Sequence, residues 1–411
     1  MEKLNPANLG LSTLLNHVEE GSNPHNAHIT PIYQTSVFSF PDLKTGLDIE
    51  NGELDGYYYT RCGNPNHRQT ARKIALLEGL DLIGENPHDP YSAVDGLVFS
   101  SVMAAVTAGI LGCVRAGETI VAQQALYGQT FTFLKSLQER FGIHVAWVKD
   151  LSPAGWEAAL AGHPTARLVF AETPVNPTLA VIDLRHLAGA AHRCGCWLMV
   201  DNTFATPYCQ RPLSLGADVV VHSTTKYLSG HGVVIGGALV SRHVDFISTR
   251  VQENLELFGG SASPYDSWLV NLGLKTFELR MQRHCDNAQA VARFLEAHPK
   301  VERVFYPGLE SHPNYAVAAA QMQGGFGGML SFELKGGYPA AARLMDRLQV
   351  ITLAVSLGNL DSLIQHPASM THSDVPRSER LEMGIGDGLL RLSVGIENID
   401  DLIADLDHAL A

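Results

Sequence analysis

The chain has 411 residues, with 42 acidic against 29 basic side chains, a formal net charge of -13 and 45% hydrophobic residues. That apolar fraction can fill the cores of two or three domains and excludes global disorder. The acidic balance, with no run of five or six basic residues, offers no footprint for a nucleic acid.

In chain order, residues 1–63 read as an irregular arm, interrupted by Pro24, Pro31 and Pro41 and by Gly46, Gly52 and Gly56. Such a segment gains order only by packing onto another surface. Met1 to Gly10 lacks a basic stretch followed by an apolar one, so the expected location is the cytoplasm. Helical spacing then runs from His67 to Leu80, followed by a polar loop from Asp81 to Asp95 that is expected to be exposed.

Gly96 to Val114 passes 19 residues without a charge, a length that could span a bilayer. Ser100 and Ser101 divide it, however, into a short strand at Leu97–Phe99 and an Ala- and Gly-rich helix. No second such segment or aromatic belt accompanies it, so no membrane is expected.

Apolar runs then recur at Thr119–Ala122, His144–Val148, Leu168–Ala171, Trp197–Val200, Val219–Val221 and Val233–Val240. Runs without alternation suit strands buried on both faces, which predicts an α/β domain with a mostly parallel sheet. Beyond Phe258 the rhythm changes. Phe277, Met281, Ala288, Val291 and Leu295 mark a long amphipathic helix. Alternation in Met329–Leu334 predicts an antiparallel strand, Arg391–Val394 another, and Asp400–Leu410 a closing helix. The expected division is an arm at 1–63, a large domain at 64–262 and a smaller α+β domain at 263–411.

Ligands of parallel α/β sheets bind beyond the carboxyl ends of the strands. Three predicted strands end in polar groups there: Glu172-Thr-Pro-Val-Asn176, Asp201-Asn-Thr203 and His222-Ser-Thr-Thr-Lys226. A lysine following a buried strand is partly desolvated, which makes its amine a good nucleophile for an aldehyde. Hydroxyls beside it can bond a phosphate, and an aspartate on the next strand can hold a protonated ring nitrogen. Pyridoxal phosphate needs that combination. Spacing alone leaves a second reading open, in which Lys226 snorkels at a strand end and Asp201 caps a helix.

The six cysteines, Cys62, Cys113, Cys194, Cys196, Cys209 and Cys285, are too few for a disulfide scaffold and lack the CxxC spacing of zinc sites. His222 and His231 have no second ligand at a sensible spacing, so no metal is expected. The glycine cluster Gly324-Gly-Phe-Gly-Gly328 precedes a strand instead of a helix, which excludes a dinucleotide loop.

The stretch Val200-Asp-Asn-Thr-Phe-Ala-Thr-Pro-Tyr208, with Ala217-Asp-Val-Val-Val-His-Ser-Thr-Thr-Lys-Tyr-Leu-Ser-Gly-His-Gly232, resembles the signature of the Cys/Met metabolism family of pyridoxal-phosphate enzymes. The resemblance extends from about Ile29 to the C-terminus. It implies the fold-type I, aspartate aminotransferase-like architecture. It also implies that Lys226 captures the cofactor and carries protons, that Asp201 partners the pyridine nitrogen and that Ser223 and Thr225 bind the phosphate. Ser101-Val102-Met103-Ala104 opens a helix whose amides face the same phosphate. Tyr127 matches the tyrosine that stacks on the ring and assists proton transfer. Tyr59 and Arg61, in Tyr59-Thr-Arg-Cys-Gly-Asn-Pro65, match residues that reach the phosphate of a neighbouring subunit, which implies a homodimer with shared sites, commonly paired into a tetramer.

In the smaller domain, Arg391 matches the arginine that grips the carboxylate of an amino-acid substrate, and Ser356 and Asn176 match further carboxylate and cofactor contacts. The segments Leu353–Gly358, Gln365–Ser373 and Leu390–Asp401 look closest to the family's methionine γ-lyases. Val355 stands where cystathionine γ-lyases tend to carry glutamate, and an apolar residue there suits a thioether. Three positions depart from the pattern: Gln129 where methionine γ-lyases usually have cysteine, Val102 for a glycine, and Val233 for an acid. The expected reaction is α,γ-elimination from a methionine- or homocysteine-type amino acid, giving 2-oxobutanoate, ammonia and the leaving group. The alternative is γ-replacement, as in cystathionine γ-synthase or O-acetylhomoserine sulfhydrylase.

Overall fold

A computed structural model describes residues 5–411 apart from 21–22, 86–88, 372 and 374–375. A seven-stranded sheet dominates it, built from β1 (Asp95–Phe99), β2 (Thr119–Gln123), β3 (His144–Val148), β4 (Ala166–Glu172), β5 (Trp197–Asp201), β6 (Val219–Ser223) and β7 (Gly237–Ser241). The order across the sheet is β1-β7-β6-β5-β4-β2-β3, and only β7 runs against the rest. β2, β6 and β7 are buried along their whole length. Helices cover both faces, which is why these strands carry no polar alternation.

The strand expected from Val233 begins four residues later, at Gly237. Val233 and Ile235 are exposed and precede it as loop. Gly236 sets the boundary, because its amide donates to Thr225 Oγ1 (3.0 Å) while its carbonyl accepts from the Thr224 amide (3.0 Å), pinning the chain to the turn after β6.

The arm is also less irregular than its prolines suggest. Leu11–His17 is helical, and Leu14 and Leu15 are fully buried against the large domain. Lys73 Nζ donates to Leu15 O (2.7 Å) and to Glu20 Oε1 (2.6 Å), and Lys275 reaches the same oxygen (2.7 Å). A second helix spans Leu43–Glu50. The loop expected at 81–95 is not wholly exposed either. Ile83 is buried, and Tyr91 Oη donates to Glu19 Oε1 (2.8 Å); Asn86, Pro87 and His88 lie outside the described residues.

A second sheet, ordered β10-β11-β12-β9-β8, comprises β8 (Val301–Phe305), β9 (Met329–Leu334), β10 (Thr352–Leu353), β11 (Leu363–Gln365) and β12 (Leu389–Ser393). β12 pairs antiparallel with β9, placing Arg391 opposite Ser331. Of the polar members of β9, Glu333 is half-buried, whereas Ser331 is buried and donates to Pro177 O (2.7 Å).

Helix Phe277–Ala297 joins the two layers. Phe277, Met281 and Cys285 pack with the large-sheet core, whereas Ala288, Val291 and Leu295 pack with the smaller one. Its buried polar face does further work. Arg280 donates to the carbonyls of Tyr227 (2.7 Å) and Leu228 (3.3 Å), directly after Lys226. One turn on, the His284 imidazole bonds Val394 O (2.7 Å), and Asn287 donates to Gly395 O (3.0 Å) just past β12. Among the described residues no helix is long and apolar enough to cross a membrane, and Gly96–Val114 divides into β1 and helix Val102–Cys113.

Candidate active site

The period-2 alternation of strands decides which end groups meet. Glu172 on β4 stands in register with Asp201 on β5, and Asp201 with Val221 on β6, so Ser223 two residues later shares their face. His222 points the other way, to Glu78 (2.6 Å) in helix Pro65–Gly79. One side of the sheet edge thus presents two carboxylates and a hydroxyl. Thr203 ties them together: its amide donates to Asp201 Oδ1 (2.9 Å), and its Oγ1 accepts from the Ser223 amide (2.9 Å).

Lys226 lies in the turn that follows β6, with its amide on Ser223 O (3.2 Å). Its Nζ donates to Ser356 Oγ (3.0 Å) in the loop before β11. Burial, and then the Arg391 charge, lower the Lys226 ammonium from 10.5 to about 8. Asp201 is shifted the other way: burial raises its carboxyl, against the Thr203 hydrogen bonds and the nearby His222.

Arg391 is buried in β12. One guanidinium nitrogen donates to Asn176 Oδ1 (3.0 Å) and another to Ser356 O (2.8 Å), while Nε is buried with no partner among the described residues. Burial lowers it to about 10, and a guanidinium remains charged there at neutral pH. Ser356 therefore touches both the lysine amine and the arginine, and it bridges the two layers. Beside it, Val355 is 59% exposed, an apolar side chain at the rim where solvent is also in reach.

Helix Val102–Cys113 starts at the same edge, because β1 runs parallel to β6. Ser101 caps it, accepting the Ala104 amide on Oγ (3.1 Å) and the Ala105 amide on its carbonyl (3.2 Å). The remaining first-turn amides, those of Val102 and Met103, have no partner within the helix. Valine at 102 leaves a backbone amide at this position, as glycine would. Thr225 Oγ1 is engaged with both polar atoms of Gly236, whereas the Ser223 side chain lies buried at the edge.

Tyr127 stands 42% exposed just before helix Gly128–Phe141, and Gln129 is exposed in the first turn of that helix. Burial, followed by the Asp201 and Glu172 charges, raises the Tyr127 phenol. Within one chain, Tyr59 and Arg61 join a different group. The Arg61 guanidinium lies 5.3 Å from the Tyr59 ring centroid and donates to Glu256 O (2.8 Å).

Glu172 was not singled out as a site residue by sequence reasoning. Its Oε2 accepts the Tyr127 amide (2.8 Å) and its Oε1 the Asn176 amide (3.1 Å). Burial and then the Asp201 carboxylate push it upward, against those two amides. Its signal was the polar strand end, read only as a direction.

These groups fit pyridoxal phosphate: a desolvated amine for its aldehyde, a carboxylate on the adjacent strand for its ring nitrogen, and helix amides with a hydroxyl for its phosphate. A buried guanidinium nitrogen left without an acceptor is what a substrate carboxylate would satisfy. Among the described residues no group of three or more His, Cys, Asp or Glu could hold a metal ion.

The family model described as Cys/Met metabolism PLP-dependent enzyme matches residues 12–411. The L-methionine gamma-lyase of Porphyromonas gingivalis is 46% identical over 411 residues, 100% of this chain and 99% of the relative. That of Fusobacterium nucleatum subsp. nucleatum is 45% identical, covering 98% of each. The cystathionine beta-lyase of Coxiella burnetii is 39% identical over 97% of each. Among solved structures, cystathionine gamma synthase from Xanthomonas oryzae pv. oryzae in complex with cystathionine superposes with a TM-score of 0.89 at 37% identity, covering 98% of both chains.

Proposed function

Because the chain belongs to the family of Cys/Met metabolism PLP-dependent enzymes, we propose that it carries out α,γ-elimination on a methionine- or homocysteine-type amino acid. With L-methionine and water the products are 2-oxobutanoate, ammonia and methanethiol. The relatives named L-methionine gamma-lyase, at 45–46% identity, support elimination. The single observation that carries the reading is Ser356, which receives the Lys226 amine and offers its carbonyl to Arg391, setting amine and carboxylate receptor at one point.

In this reading Lys226, Asp201, Ser223, Thr225, Val102, Met103 and Asn176 hold the cofactor within residues 64–262, and Arg391, Ser356, Val355 and Gln129 receive the substrate. Pyridoxal phosphate, when bound, supplies an electron sink for the charge left when Cα loses its proton. Arg391 fixes the substrate carboxylate and thereby the direction of the Cα–H bond. Lys226 Nζ, whose ammonium is lowered to about 8, takes that proton and returns one further along the chain. The Tyr127 phenol, raised by burial and by the Asp201 and Glu172 charges, keeps its proton at Oη available for transfer.

A second reading, γ-replacement, draws on Gln129, an exposed polar side chain that stands where methionine γ-lyases usually have cysteine and that suits a more polar leaving group. Purified protein should release 2-oxobutanoate from L-methionine or L-homocysteine in a panel that includes cystathionine and O-acetylhomoserine. Product formed only when O-acetylhomoserine and a thiol are both present would replace the elimination reading.

We also infer a dimer, in which Tyr59 and Arg61 of one copy serve the phosphate of the other. Val37, Phe40, Leu43 and Leu47 are exposed apolar side chains on the arm, and they support a surface that a second copy covers.

A further inference from the structure

Three site residues arrive on separate segments: Tyr127 before one helix, Asn176 after β4, and Arg391 on the smaller sheet. Glu172 is where they converge. It is 5% exposed, and each carboxylate oxygen accepts a different backbone amide, Tyr127 at 2.8 Å and Asn176 at 3.1 Å. Asn176 in turn offers Oδ1 to Arg391 (3.0 Å). The glutamate is itself immobilised, because Gln123 at the end of β2 accepts its amide (2.9 Å) and donates to its carbonyl (3.1 Å). Both oxygens of the carboxyl group accept. An amide of the same shape would turn a donor toward one of the two N–H groups.

We infer that Glu172 is a positioning residue for this site. Its two oxygens set the Tyr127 ring over the cofactor and, through Asn176, set the Arg391 guanidinium for the substrate carboxylate. The inference rests on the cofactor and carboxylate roles proposed above, but not on the fate of the γ-substituent.

The test therefore uses L-norleucine, which has no leaving group at Cγ. Wild type, Glu172→Gln and Glu172→Ala are compared by fluorescence titration of the cofactor-free protein with pyridoxal phosphate. In the loaded protein, L-norleucine is titrated by the change in visible absorbance. Glu172→Gln should weaken one of the two ligands by about tenfold, since it frees one loop, and Glu172→Ala should weaken both by at least that factor. Melting temperatures measured alongside separate misplacement from unfolding, and Glu172→Gln, which keeps the side-chain volume, carries the test if the alanine variant does not fold. Unchanged dissociation constants for both ligands in a folded Glu172→Gln variant would overturn the inference. A negative substrate panel with weakened norleucine binding would overturn only the elimination reading.

Discussion

At the scale of single residues, the site works by moving charges out of their ordinary ranges. With Lys226 lowered to about 8, the neutral amine predominates above that pH instead of above 10.5. The rate at which cofactor-free protein captures pyridoxal phosphate should accordingly rise through about pH 8, as read by stopped-flow absorbance; a midpoint near 10 would contradict it. The sign for stability is the same: the unfolded lysine holds its proton up to 10.5, the folded one only to about 8, so the cofactor-free protein gains stability as pH rises between them. Arg391→Lys keeps a charge but loses the fork to Asn176 and Ser356, and KM for the amino acid should rise by roughly 10- to 100-fold, a loss of about 1.5–3 kcal/mol. Lys226 and Asp201 stood out because a titratable group at a buried strand end is chemically conspicuous, whereas Arg391, in the middle of β12, was singled out only through the family resemblance. Glu172 ends a buried strand too, but what marks it is a pair of bonds from the backbone amides of Tyr127 and Asn176, which only the folded chain brings to it.

Among the elements, those with continuous patterns were readable and those formed by tertiary pairing were not. Helix Phe277–Ala297 and β9 carry their periods in the sequence. By contrast β10 and β11 span two and three residues and exist only through their pairing with each other and with β12. Leu11, Leu14, Leu15 and Val18 do carry helical spacing, which the nearby prolines overshadowed. That helix anchors the arm, so Leu15→Ala should cost about 2–5 kcal/mol in denaturant unfolding. A caps-level change is milder: Ser101→Ala loses the bond to the Ala104 amide and should cost about 1 kcal/mol, together with cofactor affinity.

At the scale of the whole molecule, the proposed dimer assigns Tyr59 and Arg61 of the arm to a neighbour's site. If Tyr59 and Arg61 serve a second copy, mixing Lys226→Ala with Arg61→Ala protein after reversible dissociation should restore about a quarter of wild-type sites, since half of the dimers are hybrids with one intact site each. No recovery on mixing would place Arg61 in its own chain's site. The acidic surface and the fold class followed from composition and strand rhythm, whereas the meeting of two layers could not, because it depends on which face each polar helix residue turns inward. Arg280, His284 and Asn287 recur at intervals of four and three on one face of helix Phe277–Ala297, touching the turn after Lys226 at one end and the chain after Arg391 at the other. Residues so placed make a gauge: the gap between amine and guanidinium is measured off along one rigid rod of about 1.5 Å per residue. Both jaws are fastened to that rod, so the span offered to an amino acid, from its nitrogen to its carboxylate, is fixed by the spacing of two helical turns.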